Sequence, residues 1–174
     1  MKPLTRIPID KQTYQHCKSF IDKNNIANRG RFDGNKTNQL VGTIGEVAFY
    51  KHLYKEFPKS KEGFDEGTDI IFEGASIDVK TMQRKVFMRE DFVNNFIGLQ
   101  KNYKTDVLVF LNYNTEVGEY GTIEICGWIF KLDLYKVSNY FKAGTIRTRA
   151  DGSEFTLQED LFEIPQTKLK YWND

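Results

Sequence analysis

Two aspartates and a lysine interrupt a stretch that otherwise writes two β-strands, GTDIIFEGASIDVKT at Gly67 to Thr81. Both residue types are depleted from strands, so Asp69, Asp78 and Lys80 need a reason beyond local propensity. A hairpin turned at Gly74-Ala75, with Gly first as a type II′ turn requires, opposes Glu73 to Ser76, Phe72 to Ile77, Ile71 to Asp78 and Asp69 to Lys80. Side chains alternate between faces along a strand. Asp69, Asp78 and Lys80 therefore share one face, while Ile70, Phe72, Ile77 and Val79 share the other. The two carboxylates become diagonal neighbours about 7 Å apart at Cα, a separation that an oxygen-seeking cation can bridge.

Upstream, Glu46 is the only charged residue between Val41 and Tyr50, in the run LVGTIGEVAFYKHL. A desolvated, unpaired carboxylate there would cost several kcal/mol, so it requires a partner such as a metal ion or a lysine. Glu46, Asp69 and Asp78 supply three hard oxygen ligands and Lys80 an ammonium. Such a set suits Mg²⁺, with Mn²⁺ able to substitute, because Mg²⁺ prefers carboxylates and retained waters to nitrogen or sulfur. It also suits phosphodiester hydrolysis: the metal offsets charge on the phosphate and acidifies a water, and the lysine orients or deprotonates that water and stabilises the transition state.

Blander readings compete. Asp69 and Lys80 could be a cross-strand ion pair on a solvated face, contributing about 0.2–1 kcal/mol. An acid-x-Lys triplet occurs by chance about once in a chain of this length; its weight here comes from its place on a strand, one hairpin after an aspartate of matching parity. Arg84 and Lys85, directly after that strand, are candidate phosphate contacts, as are Arg29, Arg31, Arg147 and Arg149. His16 and His52 stand alone, without a Ser, Cys or second His at ligand spacing, and are expected to have no catalytic role. Trp128 and the many Phe residues are expected in the core rather than as base-stacking platforms, and Trp172 could be either.

The elements that must position these groups are legible in outline. A helix is expected over residues 10–25, with Asp10 as N-cap and Tyr14, Cys17, Phe20 and Ile21 as its apolar stripe. A second, over 37–54, is apolar nearly all round and should be buried, with Gly42 and Gly45 allowing close approach to a neighbouring backbone. After the hairpin, a short helix is expected around Phe92 to Leu99, then a doubly covered strand DVLVFLNY and a strand GTIEICGWIF. LDLYKVSNYFKAG reads as a helix ending on Gly144, and the remainder as a hairpin turned at Asp151-Gly152. This order predicts an α+β, or three-layer α/β, fold with a mixed sheet in a single domain over residues 1–174.

Composition narrows the class. The 174 residues suffice for a core without staples. Cys17 and Cys126 are far apart and outside any CxxC or Cys/His cluster, which argues against a disulfide framework or zinc site. The N-terminal residues lack an apolar signal-peptide core and no apolar run reaches spanning length, so a soluble cytoplasmic protein without a membrane partner is expected. A net charge of +1 gives no argument for nucleic acid, yet an acidic metal site ringed by basic residues can sum to near neutrality.

With these residues in place, the chain resembles the PD-(D/E)XK nuclease superfamily, in particular its phage- and restriction-type members. The family's acid on a helix, aspartate, then acid-x-Lys on the next strand reads here as Glu46, Asp69 and Asp78-Val79-Lys80, and GTIGE resembles its helical G-x-x-GE element. The likeness covers about residues 37–130, with the 10–25 helix before this core and the segment 131–174 after it. Thr68 stands where the pattern has proline, and Gln100 and Tyr103 lack the spacing of the Q-x-x-x-Y element of recombination-type exonucleases. The resemblance implies a restriction-endonuclease-like core of three layers, a mixed β-sheet flanked by helices. It also implies a Mg²⁺-dependent endonuclease acting on DNA, with the Val79 carbonyl as a further metal ligand. A homodimer would supply two sites for the two strands of a duplex. The alternatives are a non-catalytic nucleic-acid-binding or accessory subunit with this fold, and a metal-independent domain whose acids pair with lysines.

Overall fold

A computed structural model describes residues 2–24, 35–58, 68–148 and 152–172. The first strand, β1 (Arg6–Pro8), leads into α1 (Lys11–Asn24), whose start is capped as expected: the Thr13 N–H donates to the Asp10 carboxylate at 2.6 Å. α2 (Lys36–Tyr54) is capped by the Asn35 side chain, which accepts from the Asn38 N–H at 2.9 Å. Then follow β2 (Ile70–Phe72), β3 (Ala75–Arg84), β4 (Val93–Ile97), β5 (Val107–Asn114), β6 (Thr122–Phe130), α3 (Lys131–Val137), β7 (Asn139–Phe141), β8 (Ile146–Thr148), β9 (Glu154–Thr156) and β10 (Leu161–Pro165).

The architecture is α+β with a mixed five-stranded sheet in the order β1-β6-β5-β3-β2. β3 and β5 run parallel, and the other pairs are antiparallel. Every residue of β5 is buried, which explains its continuous apolar run. Its odd-numbered residues Val107, Val109 and Leu111 pack with Ile77 and Val79 against Ile44, Val47 and Phe49 of α2. Its even-numbered residues Leu108 and Phe110 face Phe96, Leu134, Phe162 and Ile164, from a three-stranded sheet in the order β4-β10-β7 and from α3. Each such side chain removed from water contributes about 1.5–3 kcal/mol. No helix among the described residues is long and apolar enough to cross a membrane.

α2 lies close on the sheet at Gly45: an added Cβ would overlap the Thr81 hydroxyl and come within 2.9 Å of the Thr81 Cβ. The close approach is to a side chain rather than to backbone. Gly42 has no such role, since its nearest neighbour would be a carboxylate oxygen of Glu46 at 3.9 Å.

Four expectations are corrected. The β2–β3 turn falls on Glu73-Gly74, both with positive φ (49° and 84°), as in a type I′ turn. Ile70 consequently faces Ile77 and Phe72 faces Ala75. The segment around Phe92 to Leu99 is not a helix: Asn94 and Phe96 point inward at period 2 in β4, and a 3₁₀ turn (Gly98–Asn102) follows. The helix expected to end on Gly144 stops at Val137, because Asn139 to Phe141 pair with β10. Finally, Leu161 to Pro165, read as part of the last hairpin, instead form the central strand of the second sheet. That hairpin does form as β8–β9, with Gly152 at φ 83°, while Asp151 lies outside the described residues.

Candidate active site

The corrected register changes the geometry around β3 without changing parity. Asp69 sits just before β2 and brackets Asp78 from both sides along the backbone. Its N–H donates to the Ile77 carbonyl at 2.9 Å, and its carboxylate accepts from the Val79 N–H at 2.6 Å. The two aspartates are thus adjacent across the strands rather than diagonal, and Asp69 closes the ladder where β2 begins. In an extended strand the N–H and C=O of one residue point to the same side, so the Val79 carbonyl faces this same edge.

Asp78 and Lys80 lie on the face of β3 that carries Leu108 and Phe110 in the neighbouring strand. Asp78 is buried, and the Lys80 ammonium stands 2.7 Å from its Oδ1 with the lysine side chain 18% exposed. This pair replaces the expected Asp69–Lys80 opposition. Glu46 reaches the site from α2. Desolvation pushes the Asp69 carboxyl well above the usual carboxylate range, Glu46 and then Asp78 raise it further, and the Val79 N–H and Lys80 oppose the rise. Glu46 also contributes, after burial, to lifting the Cys17 thiol to about 12.

Hard oxygen donors crowded until one is driven toward its protonated form are what a cation relieves, so the chemistry of the donor set fits a divalent ion such as Mg²⁺. Among the described residues, no three His, Cys, Asp or Glu side chains are gathered closely enough to hold an ion as a set.

A residue that sequence reasoning missed is Lys131, at the start of α3. It is buried, and its ammonium donates to the Gln100 carbonyl at 3.1 Å and to the Tyr103 carbonyl. Burial lowers its pKa, Asp78 raises it and Lys80 lowers it, which places the two lysines and Asp78 in one electrostatic neighbourhood. A lone lysine between Phe130 and Leu132 was the available signal.

The candidate phosphate contacts disperse. Arg84 donates to the Val93 carbonyl at 2.7 Å and lies 5.3 Å from the Phe92 ring, and burial disfavours its charge. Lys85 is 82% exposed, 3.8 Å from Glu116. Arg147 pairs with Glu163 at 3.0 Å and lies 3.9 Å from the Phe141 ring. Arg29, Arg31 and Arg149 lie outside the described residues. No protein-family model, curated protein or solved structure matches the chain.

Proposed function

We propose that the protein is a Mg²⁺-dependent nuclease, an endonuclease hydrolysing DNA phosphodiester bonds on a restriction-endonuclease-like core. The observation that carries this reading is Asp69, bonded into the edge of β3, desolvated, and crowded by Glu46 and Asp78 beside Lys80. Glu46, Asp69, Asp78 and the Val79 carbonyl would hold the metal with the three carboxylates drawn closer than they stand in this structure, and the metal would supply Lewis-acid stabilisation of the phosphate and a more acidic bound water. Asp69 fixes the spacing of this set, because it is hydrogen-bonded to the strand that bears Asp78 and Val79. Lys80 holds the attacking water and compensates charge developing on the phosphate oxygens. Lys131 ties the 3₁₀ turn to α3 behind Lys80 and adds a second positive charge near Asp78.

The 2.7 Å Asp78–Lys80 pair favours one second reading, a metal-independent domain whose acids serve only as ion-pair partners. Cleavage of linear and circular duplex, single-stranded, flap and four-way-junction DNA, with Mg²⁺, Mn²⁺ or EDTA, separates the two. Metal-dependent cutting by the wild type that Asp78→Ala abolishes is the expected result. Binding without cutting by both proteins would favour an accessory subunit, and a melting temperature indifferent to Mg²⁺ the metal-independent domain.

A further inference from the structure

A cleft of about 980 Å³ opens at the end of the sheet where β2 turns into β3, at the upper end of the ~300–1,000 Å³ typical of ligand sites. Its walls carry Phe72, Trp128, Phe130, Tyr171 and Trp172, contributed by β2, β6 and the C-terminal segment. That segment is held against β6 by paired backbone bonds between Trp128 and Lys170, both at 2.9 Å, and it packs over Gly127, where a Cβ would meet the Leu169 Cβ at 2.9 Å. The rings are therefore fixed in place. Trp128 and Phe130 stand edge to face with centroids 5.2 Å apart, Trp172 packs against Phe49 at 4.9 Å, and Phe130 remains 43% exposed.

Cations gather around these rings. The Lys170 ammonium lies 4.6 Å from the Trp128 centroid and 4.7 Å from that of Phe130, Lys2 stands 5.6 Å from Tyr171, and Lys55 lines the cleft. Glu73 is the one carboxylate in the lining among the described residues. Fixed aromatic faces bordered by ammonium groups match the two halves of an unpaired nucleotide, a base that stacks and a phosphate that meets the lysine. Bases of an intact duplex are already stacked and paired, and offer these rings no free face. The cleft and the candidate site share the β2–β3 hairpin: Ile77 in the lining is followed in β3 by Asp78, whose side chain lies on the opposite face, and Phe72 belongs to the edge strand that Asp69 precedes.

We propose that this cleft is a stacking subsite for unpaired nucleotides of a DNA strand whose backbone passes round the edge strand β2 to the Asp69–Asp78 pair. The inference rests on the nuclease reading and deepens it, since it makes DNA with a single-stranded end, flap or loop the substrate class.

The test is fluorescence anisotropy of a labelled oligothymidine and of a blunt duplex of equal length, in EDTA so that neither is cut. The variants change exposed side chains, Phe130→Ala and Lys170→Glu. The wild type should prefer the single strand, Phe130→Ala should weaken that binding about tenfold, as for loss of one stacked base, and Lys170→Glu should weaken it and flatten its salt dependence. Equal affinity of the wild type for the duplex, or wild-type binding by both variants, overturns the inference. Asp78→Asn separates it from the reading on which it rests: that variant should keep the preference for single strand over duplex and cut nothing with Mg²⁺. Cutting by Asp78→Asn at the wild-type level, or none by the wild type, together with strand binding lost in the cleft variants, would keep the cleft and remove the Asp69–Asp78 pair as a nuclease site.

Discussion

Two buried acidic regions sit at opposite ends of the five-stranded sheet, and they are built differently. Glu124, in β6, is 1% exposed. One of its oxygens accepts from the Arg6 Nε at 3.1 Å, the other from the Met88 N–H and the Asn112 side-chain amide at 2.8 Å each. At the other end, Asp69 accepts from the Val79 N–H while two further carboxylates raise its pKa. A buried carboxylate serving the fold has donors on both oxygens. At the Asp69 end burial and the neighbouring acids raise a carboxyl pKa, and the Lys80 ammonium, 2.7 Å from Asp78, opposes only part of that rise; a bound cation would relieve the remainder. That difference is the physical ground for assigning chemistry to the Asp69 end and structure to the Glu124 end.

The largest expected effect breaks the comparison at the Asp69 end. Lys80→Met should lower Mg²⁺-dependent cleavage by at least about 10²-fold, the usual cost of losing one group that stabilises transition-state charge. It also leaves the buried Asp78 carboxylate without its partner at 2.7 Å, so stability should fall by about 3–5 kcal/mol; cleavage that falls only as far as the folded fraction does would make Lys80 structural.

Next, at the structural end, Glu124→Ala leaves Arg6, the Met88 N–H and Asn112 without their acceptor. It should cost about 3–5 kcal/mol of stability, read by chemical denaturation, with cleavage retained at temperatures where the variant is folded.

A smaller change links the two layers. Gly45→Ala forces a methyl group into Thr81 and should cost about 1–3 kcal/mol as overpacking. It also displaces α2, and with it Glu46, from β3, so cleavage should fall, and Thr81→Gly in the same chain should restore part of both.

The least perturbing test is pH. In metal-free protein the folded state holds the Asp69 proton above the ordinary aspartate value of 3.8, where the unfolded chain releases it. Between that value and the raised one the folded state binds more protons, so stability declines as pH rises through this window. Melting in EDTA across pH should show this slope in the wild type, and Asp69→Asn should flatten it.

The sequence made α1, α2, β5 and β6 legible because their patterns are continuous and long. It misplaced β4, β7 and β10, each three to five residues long and paired with partners distant in the chain, where pairing outweighs local preference. The hairpin register slipped because Glu73 takes a left-handed conformation more often given to glycine or asparagine. Glu46, Asp69, Asp78 and Lys80 were legible as out-of-place charges. The same reasoning applied to the lone acid in GTIEICGWIF would have selected Glu124, and only its three donors show why it is different in kind. Lys131 comes near Asp78 and Lys80 only through packing of α3, which no local pattern records.

Isothermal titration with Mn²⁺ at several pH values tests the central claim most directly, on wild type, Asp69→Asn and Glu124→Gln. The expected result is binding to the wild type and to Glu124→Gln with an affinity that rises with pH, since burial and then the neighbouring acids raise the Asp69 pKa and the ion competes with its proton, and no binding to Asp69→Asn. Undiminished binding by Asp69→Asn, or none by the folded wild type, would contradict the assignment of the β3 edge as a metal-dependent active site.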